Sequence, residues 1–313
     1  MSKKQTYPEN VFTSLGELLK KEHLAQHFSL LARKQKVNSI LAGKHASKLR
    51  GRGLDFEEVR NYVKGDDIRN IDWKVTARTQ KTHTRVYTEE KEKPVLIVVD
   101  QSYSMFFGSV NKTKATVAAE LAAIAAFRVF KEGDRLGGVI FSDEDFDVVA
   151  PKRSRKSILN LLEKIVDRNH KLKDAKPQAK EETLKKIVQR VFNIVTHDYL
   201  VVIISDFVRY DAGIVRAIAG ISRHNDIILA KVYDPMERQI PQTKFVAGNI
   251  EKQITVDGTN NKIEQEFKKG FDKKLYDFQE TMKKYRIPVF TINTVTPVED
   301  QLKEVFGRAN AKK

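Results

Sequence analysis

Residues 95–104 read Val-Leu-Ile-Val-Val-Asp-Gln-Ser-Tyr-Ser, an apolar run that ends in Asp100 and continues into two hydroxyl side chains, Ser102 and Ser104. An unbroken apolar run of this length is typical of a strand buried on both faces of a parallel sheet. Polar residues that directly follow such a strand lie in the crevice where open α/β sheets bind their ligands. One carboxylate and two hydroxyls in a tight turn supply the oxygen ligands that Mg²⁺ prefers. The stretch therefore predicts half of a metal site.

Downstream of Pro94 the sequence alternates between strand-like and helix-like segments, which is the pattern of a parallel α/β sheet. Strands are predicted at 95–100, 135–142, 145–150, 199–206, 227–233 and 289–295. Helices are predicted at 112–131, 155–167, 181–196, 211–223, 261–286 and 298–307, with a β-hairpin insertion at about 240–260. The fold class that follows is α/β, a doubly wound and mostly parallel six-stranded sheet occupying residues 94–313.

Two segments precede this domain. Residues 1–50 are predicted to form a helical or extended segment, with amphipathic helices in 11–34 and a linker at 35–50, packed on the sheet. Residues 51–93 form a basic block with a short helix-like stretch at 57–63 and an edge strand at 83–88. Acidic and basic residues alternate in this block, so it is either a salt-bridged platform or a docking surface.

The composition excludes several function classes. The chain has 57 Lys and Arg against 41 Asp and Glu, a formal charge of +16, and no cysteine. Disulfides and thiolate metal sites are therefore ruled out. The sequence lacks an apolar stretch long enough to span a bilayer, and its start does not resemble a signal peptide, so we expect a cytoplasmic protein. The charge favours acidic partners, although no nucleic-acid-binding signature is present.

The second half of the metal site is predicted at Ser205 and Asp206, which end the apolar strand 199–206. All carboxyl ends of a parallel sheet point the same way, so the carboxylates of Asp100 and Asp206 converge if their strands are neighbours. Thr183, at the start of a predicted helix, is the best candidate for a contribution from a loop. The predicted ligands are thus two carboxylates and three hydroxyls, with a position open for an incoming carboxylate.

These motifs carry a resemblance to a known family. Asp-x-Ser-x-Ser at 100–104, the hydroxyl at 183 and Ser-Asp at 205–206 resemble the metal-ion-dependent adhesion site of von Willebrand factor A-type domains. The upstream block is more specific, since residues 62–78 contain Gly65-Asp66-Asp67 and Ile71-Asp72-Trp73-Lys74. This block is similar to the bacterial family of such domains catalogued as domain of unknown function number fifty-eight. The resemblance runs from about residue 51 to about residue 234.

The resemblance implies specific roles. Ser102, Ser104 and Thr183 would bind Mg²⁺ (or Mn²⁺) directly, while Asp100 and Asp206 would bind it directly or through water. Such domains are not enzymes and bind a protein partner that presents an Asp or Glu to the metal. Relatives of this family accompany AAA+ ATPases of the MoxR type in what resembles a chaperone or assembly system. Two departures from the pattern are Phe207, where many A-type domains have Gly, and the acidic pair 181–182 before Thr183.

Three alternatives stay open at this point. Asp100 could be the nucleophile of a Mg²⁺-dependent phosphohydrolase, although Ser102 stands where haloacid-dehalogenase-like phosphatases place a general-acid Asp. The positive charge could instead serve nucleic-acid binding, which would be steeply salt-dependent. Asp234, with Glu237 nearby, either contacts the metal ligands without binding the ion itself or opens a turn at Pro235.

Overall fold

The computed structural model of the chain describes residues 8–26, 54–89, 92–175, 182–208, 210–248 and 253–306. The chain folds as two compact units. The larger consists of Met1–Leu41 and Lys93–Lys313, and the smaller of Ala42–Glu92. The linker predicted at 35–50 lies outside the described residues.

The regular elements within the described residues follow the predicted alternation closely from Pro94 onward. The strands are β1 (Leu54–Asn61), β2 (His83–Glu89), β3 (Pro94–Asp100), β4 (Arg135–Phe141), β5 (Phe146–Lys152), β6 (Leu200–Ser205), β7 (Asp226–Tyr233), β8 (Lys244–Gly248), β9 (Gln253–Asp257) and β10 (Val289–Asn293). The helices are α1 (Leu15–Lys20), α2 (Trp73–Thr79), α3 (Lys114–Lys131), α4 (Arg155–Lys171), α5 (Glu182–Ile194), α6 (Ala212–Ile221), α7 (Asn261–Lys284) and α8 (Val298–Phe306). Of these helices in the described part of the chain, none combines the length and apolar character that crossing a membrane requires.

The larger unit is built on a six-stranded sheet in the order β10-β7-β6-β3-β4-β5. Its strands pair in parallel except for β5, which runs antiparallel to β4. Strand β3 is central and all of its residues are buried, because both faces of the sheet are covered. Val95, Ile97 and Val99 join the core with α3 and α4, whereas Leu96 and Val98 join the core with α5 and α6. Burial on both faces is what makes the strand apolar at every position.

The N-terminal segment packs onto this unit as predicted, over residues 8–26. Helix α1 begins with a reciprocal capping box between Ser14 and Glu17. Phe12 and Leu18 are buried in the core beside α3. The hydroxyl of Thr113 donates to the carbonyl of Val11 at 3.0 Å, so hydrogen bonds as well as apolar contacts fix the segment. Residues 27–34 of the predicted helical region lie outside the description.

The smaller unit differs from the prediction in one element. Residues 57–63 were expected to be helix-like, but strand β1 covers most of them and pairs antiparallel with β2, the predicted edge strand. A bulge between Phe56 and Glu58 shifts the register. Because a bulge inserts one extra residue, it breaks the alternation by which a strand is recognised in a sequence.

Ion pairs hold the smaller unit's loops. Arg60 forms a bidentate bond with Asp66, with both distances 2.7 Å, and Arg85 binds Asp72 at 2.8 Å. Residues 54–89 carry seven Lys or Arg and seven Asp or Glu, so their charges balance. Trp73, the one tryptophan of the chain, is exposed at the start of α2.

Candidate functional site

The two predicted halves of the metal site meet at the carboxyl edge of the sheet. Strands β3 and β6 are paired neighbours, with Val99 opposite Ile204. The hydroxyl of Ser205 donates to Oδ2 of Asp100 at 2.6 Å, which joins the two strand ends directly. Asp100 and Asp206 are both buried. Chain positions more than a hundred residues apart therefore form one cluster of oxygen atoms.

Two serine hydroxyls complete this cluster from the turn after β3. The backbone N–H of Ser102 donates to Oδ1 of Asp100 at 2.8 Å, and Oγ of Ser102 lies 3.2 Å from Oγ of Ser104. The hydroxyl of Ser102 acts to lower the pKa of Asp100, and that of Ser104 acts to lower the pKa of Asp206. Adjacent ligands of an octahedral Mg²⁺ ion at about 2.1 Å lie about 3 Å apart. The two hydroxyls therefore fit one small divalent cation.

The fifth predicted ligand is Thr183. It lies in the first turn of α5, but its side chain falls outside the described residues. Within the described ranges, no group of three or more His, Asp and Glu side chains is arranged to hold a metal ion. The candidate centre consequently depends on its serine hydroxyls as much as on its carboxylates.

Burial and a neighbouring charge dominate the chemistry of Asp100. Loss of solvent raises the pKa of this carboxyl, and repulsion from Asp206 raises it further, to about 7. Hydrogen bonds from Ser102 and Ser205 act in the opposite direction without offsetting these effects. Near neutral pH, Asp100 is thus balanced between its neutral and charged forms. A cation between the two carboxylates would favour the charged form.

A buried lysine, which the sequence analysis missed, provides the cluster with an internal positive charge. Nζ of Lys114 lies 2.9 Å from Oδ2 of Asp206 and 2.5 Å from Oε1 of Glu237. Burial would raise the pKa of Asp206, but Lys114 and the hydrogen bond from the N–H of Val208 hold it below its ordinary value. Burial likewise opposes the charge of Lys114, yet the two carboxylates raise its pKa. Asp206 is therefore ionised even though it is enclosed.

The sequence did contain a signal for Lys114. This residue occupies the first position of α3, after the N-cap Thr113, and the rest of the helix's first three turns is apolar except for Thr116 and Glu120. A cation at a helix N-terminus opposes the helix dipole. Such a lysine implies a nearby anion that compensates for its position.

Asp234 and Glu237 support the cluster from the end of β7. Asp234 opens a turn at Pro235, as one of the two interpretations proposed, and its capping box uses Glu237. Asp234 is also fully buried, and its Oδ2 accepts the N–H of Ser109 at 2.9 Å and the hydroxyl of Thr294 at 2.5 Å. Glu237 meanwhile binds Lys114. The turn is therefore confirmed for Asp234, whereas Glu237 is the residue that reaches the cluster, through Lys114.

The buried side-chain amides of Gln101 and Asn169 fix the turn that follows β3. Gln101, between Asp100 and Ser102, donates through Nε2 to the carbonyl of Ala115 at 3.0 Å. Its Oε1 accepts a hydrogen bond from Nδ2 of Asn169 at 3.0 Å, and Oδ1 of Asn169 accepts the N–H of Thr13 at 2.8 Å. All three polar side chains are buried. This relay ties the turn to α4 and to the N-terminal segment.

Phe207 explains one departure from the A-type pattern. Its backbone is left-handed, with φ of 47°, a conformation that favours glycine. Its ring is buried against Phe278, with ring centroids 5.2 Å apart, and this packing offsets the backbone strain. The packing of its ring therefore holds Phe207 in place, and the next residue, Val208, faces solvent.

The loop at 106–113, which leads into α3, has no room for a side chain at Gly108. A Cβ atom there would lie 2.1 Å from the carbonyl oxygen of Lys112 and 2.9 Å from Cα of Thr113. We expect Gly108→Ala to lower the free energy of unfolding by about 1–3 kcal/mol, since backbone atoms must move. Urea titrations followed by circular dichroism measure this change.

Gly270, in the middle of α7, is the matched control because nothing lies within 4 Å of its Cβ position. Gly270→Ala should leave stability unchanged or raise it by up to about 1 kcal/mol. Equal effects of the two substitutions would contradict the close approach at Gly108.

A family model described as "Protein of unknown function DUF58" matches residues 58–275, more than half of the chain. The match begins within β1 and extends into α7. It therefore continues beyond residue 234, where the resemblance in the sequence was expected to weaken.

Two curated relatives are uncharacterized proteins of mycobacteria. Rv1480 of Mycobacterium tuberculosis (strain ATCC 25618 / H37Rv) and Mb1516 of Mycobacterium bovis (strain ATCC BAA-935 / AF2122/97) are each 29% identical to this chain over 208 residues. The alignment covers 66% of this chain and 64% of each relative, less than two thirds of their length. The crystal structure of conserved hypothetical protein BatB from Bacteroides thetaiotaomicron matches with a TM-score of 0.43 and 17% identity. That match covers 67% of this chain and 95% of the other.

Proposed function

Because the chain belongs to the DUF58 family, we propose that it is a divalent-cation-dependent protein-interaction module without catalytic activity. The larger unit would be a von Willebrand A-like domain, and its ion Mg²⁺ or Mn²⁺. The ligands would be Ser102, Ser104, Asp100 and Asp206, with Thr183 as the expected fifth. A protein partner would complete the coordination with an Asp or Glu side chain.

The observation that carries the proposal is that the hydroxyls of Ser102 and Ser104 lie 3.2 Å apart in the same cluster as the buried carboxylates of Asp100 and Asp206. Two carboxylates match the formal charge of a divalent ion, but the ammonium of Lys114 already binds one oxygen of Asp206 and so leaves part of the ion's charge uncompensated. The ion would therefore supply a Lewis-acidic position that attracts a further carboxylate. The residues Ser102 and Asp100 would orient that position, since the turn carrying them is fixed by Gln101.

Burial of Asp100 favours this module over a phosphohydrolase. A nucleophilic carboxylate must be charged and open to an incoming phosphorus atom. Both oxygens of Asp100 accept hydrogen bonds, one from Ser102 and one from Ser205, and the side chain is buried. Ser102 also cannot act as a general acid near neutral pH.

The proposed working partner is a MoxR-type AAA+ ATPase, with the chain as an adaptor or co-chaperone in the assembly or maturation of other proteins in the cytoplasm. This part of the proposal is supported by the resemblance of the motifs alone. A pull-down with a MoxR-type AAA+ ATPase, with Mg²⁺ or with EDTA, tests it. Recovery that persists in EDTA, or with Asp100→Ala, would contradict a metal-dependent contact.

Replacing Ser104 with alanine is expected to weaken Mg²⁺ binding at least about tenfold, since one of the two proposed hydroxyl ligands that lie 3.2 Å apart is lost. In the wild type, affinity should fall as the pH is lowered through about 7, because protonated Asp100 no longer binds a cation. Isothermal titration calorimetry with Mg²⁺, and Mn²⁺ electron paramagnetic resonance, measure both effects.

The control is Ser222→Ala, at the carboxyl end of α6 and hence at the opposite edge of the sheet. It should bind Mg²⁺ as the wild type does. Absence of any Mg²⁺ or Mn²⁺ binding by the wild type at about pH 8 would refute the proposed function.

A further inference from the structure

Large apolar side chains surround the candidate metal site and remain exposed. They arise from two connections at the carboxyl edge of the sheet, the one between β3 and α3 and the one between β6 and α6, whereas the strands below them are buried. We call them the apolar rim; they are Tyr103 (37% exposed), Phe107 (41%), Val110 (69%) and Val208 (58%). Single exposed apolar residues are ordinary, but a group of them around one polar site marks an interaction surface.

Chain connectivity and hydrogen bonds locate the rim beside the site. Tyr103 lies between the two serines of the turn. The N–H of Val208 donates to Oδ1 of Asp206 at 3.1 Å. The carbonyl of Phe107 accepts the N–H of Lys114 at 2.8 Å, and the ammonium of that lysine binds Asp206.

Hydrogen bonds and packing hold the backbone at or next to three of the rim residues, which opposes a rearrangement that would bury their apolar surface. The N–H of Tyr103 donates to Oδ2 of Asp143 at 2.6 Å. The N–H of Ser109, next to Val110, is held by buried Asp234. Val208 follows the left-handed and tightly packed Phe207. A preorganised surface of this kind loses little conformational entropy when a partner binds.

We propose that this edge binds an acidic segment of a partner protein in which an Asp or Glu is next to a large apolar residue. The inference rests on the proposed function, since the carboxylate would reach the metal position while the apolar neighbour packs on the rim. The net charge of +16 adds a general attraction for acidic partners. The rim thus supplies sequence selectivity that a metal–carboxylate contact by itself lacks.

The test selects a phage-displayed library of random linear peptides on the full-length protein with Mg²⁺ and elutes with EDTA. The expected clones carry an Asp or Glu beside Leu, Ile, Met, Phe or Trp. A synthetic peptide from the selection should bind about tenfold more weakly to Phe107→Ser and to Val208→Ser than to the wild type, as measured by fluorescence anisotropy. The control is Val246→Ser, an exposed valine on the β8–β9 hairpin, which should bind as the wild type does.

Circular dichroism shows whether each variant still folds, and calorimetry shows whether it still binds Mg²⁺. These two measurements separate the loss of peptide contacts at the rim from a loss of folding or of metal binding. If the wild type binds Mg²⁺ but the clones lack apolar neighbours, or the rim variants bind normally, the rim inference is overturned and the proposed function stands. If the wild type binds no metal, the proposed function fails and this inference with it. Rim-dependent binding to phosphatidylserine vesicles, or rim-dependent self-association, in place of peptide binding would also overturn it.

Discussion

Replacing Lys114 with methionine is expected to lower the free energy of unfolding of the metal-free protein by about 3–5 kcal/mol. Methionine has a similar volume, so the change removes the charge with little change in packing. It removes the ammonium that lies 2.9 Å from buried Asp206 in the wild type, so this carboxylate must either stay charged without a partner of this kind or take up a proton. An uncompensated buried charge is far more costly than the absence of the whole ion pair. Urea unfolding in EDTA, followed by circular dichroism, measures the loss.

Two further variants identify the cause. Lys131→Met, an exposed lysine at the end of the same helix, should change stability by less than about 0.5 kcal/mol. The double variant Lys114→Met with Asp206→Asn should recover much of the lost stability, because the orphaned charge is removed. Glu237 is only partly enclosed and can turn toward water. A loss in Lys114→Met no larger than that in Lys131→Met would contradict the internal-cation role of Lys114.

Replacing Asp100 with asparagine is expected to abolish Mg²⁺ binding and, at the same time, to stabilise the metal-free protein at about pH 8. The pKa of Asp100 is about 7 in the folded chain, against about 3.9 for an unfolded aspartate. Between these values the folded chain holds a proton that the unfolded chain has released. The free energy of unfolding of the wild type therefore falls as the pH rises from about 4 to about 7. Above this window the buried charge costs on the order of a few kcal/mol, which asparagine avoids.

The measurement is a series of urea titrations in EDTA between about pH 5 and about pH 8, comparing the variant with the wild type. Circular dichroism is the appropriate signal, because the one tryptophan, Trp73, belongs to the smaller unit. The free energy of unfolding of Asp100→Asn should exceed that of the wild type by an amount that grows with pH. Addition of Mg²⁺ should remove this difference by stabilising the wild type alone. Asp174→Asn, at an exposed position after α4, is the control and should show no such trend. If Asp100→Asn is less stable than the wild type at about pH 8, the inferred cost of burying the charge of Asp100 is contradicted.

Together these two substitutions concern a site whose buried charges lower the stability of the folded protein but are needed for the proposed Mg²⁺ binding. Two carboxylates are enclosed at one edge of the sheet; the buried ammonium of Lys114 binds the carboxylate of Asp206, and the partly buried ammonium of Lys231 binds the carbonyl of the same residue. Functional sites commonly retain electrostatic strain of this kind, in which charged groups are buried close together. Occupation by a divalent cation would relieve it, so ligand binding and folding stability should be linked in this protein.

Most of the larger unit was predictable because its elements are marked locally. The run at 95–100 and the apolar strand before Asp206 are buried on both faces, so their composition identified them with no knowledge of their neighbours. The hairpin insertion was confirmed as β8 and β9. The helix expected at 57–63 was wrong because the bulge at Phe56 and Glu58 hides the strand's alternation. Local signals fail where a tertiary pairing tolerates an irregular strand.

The residues by themselves determined which strands end in oxygen-bearing side chains, because a buried apolar strand must stop where its polar residues begin. Only the tertiary structure decided that β3 and β6 are neighbours and that Asp100 and Asp206 share one enclosed cluster. It also decided that Lys114 neutralises a carboxylate 92 positions away in the chain and another 123 positions away. Charge compensation and desolvation depend on which segments pack together in space, and no local pattern of residues encodes either of them.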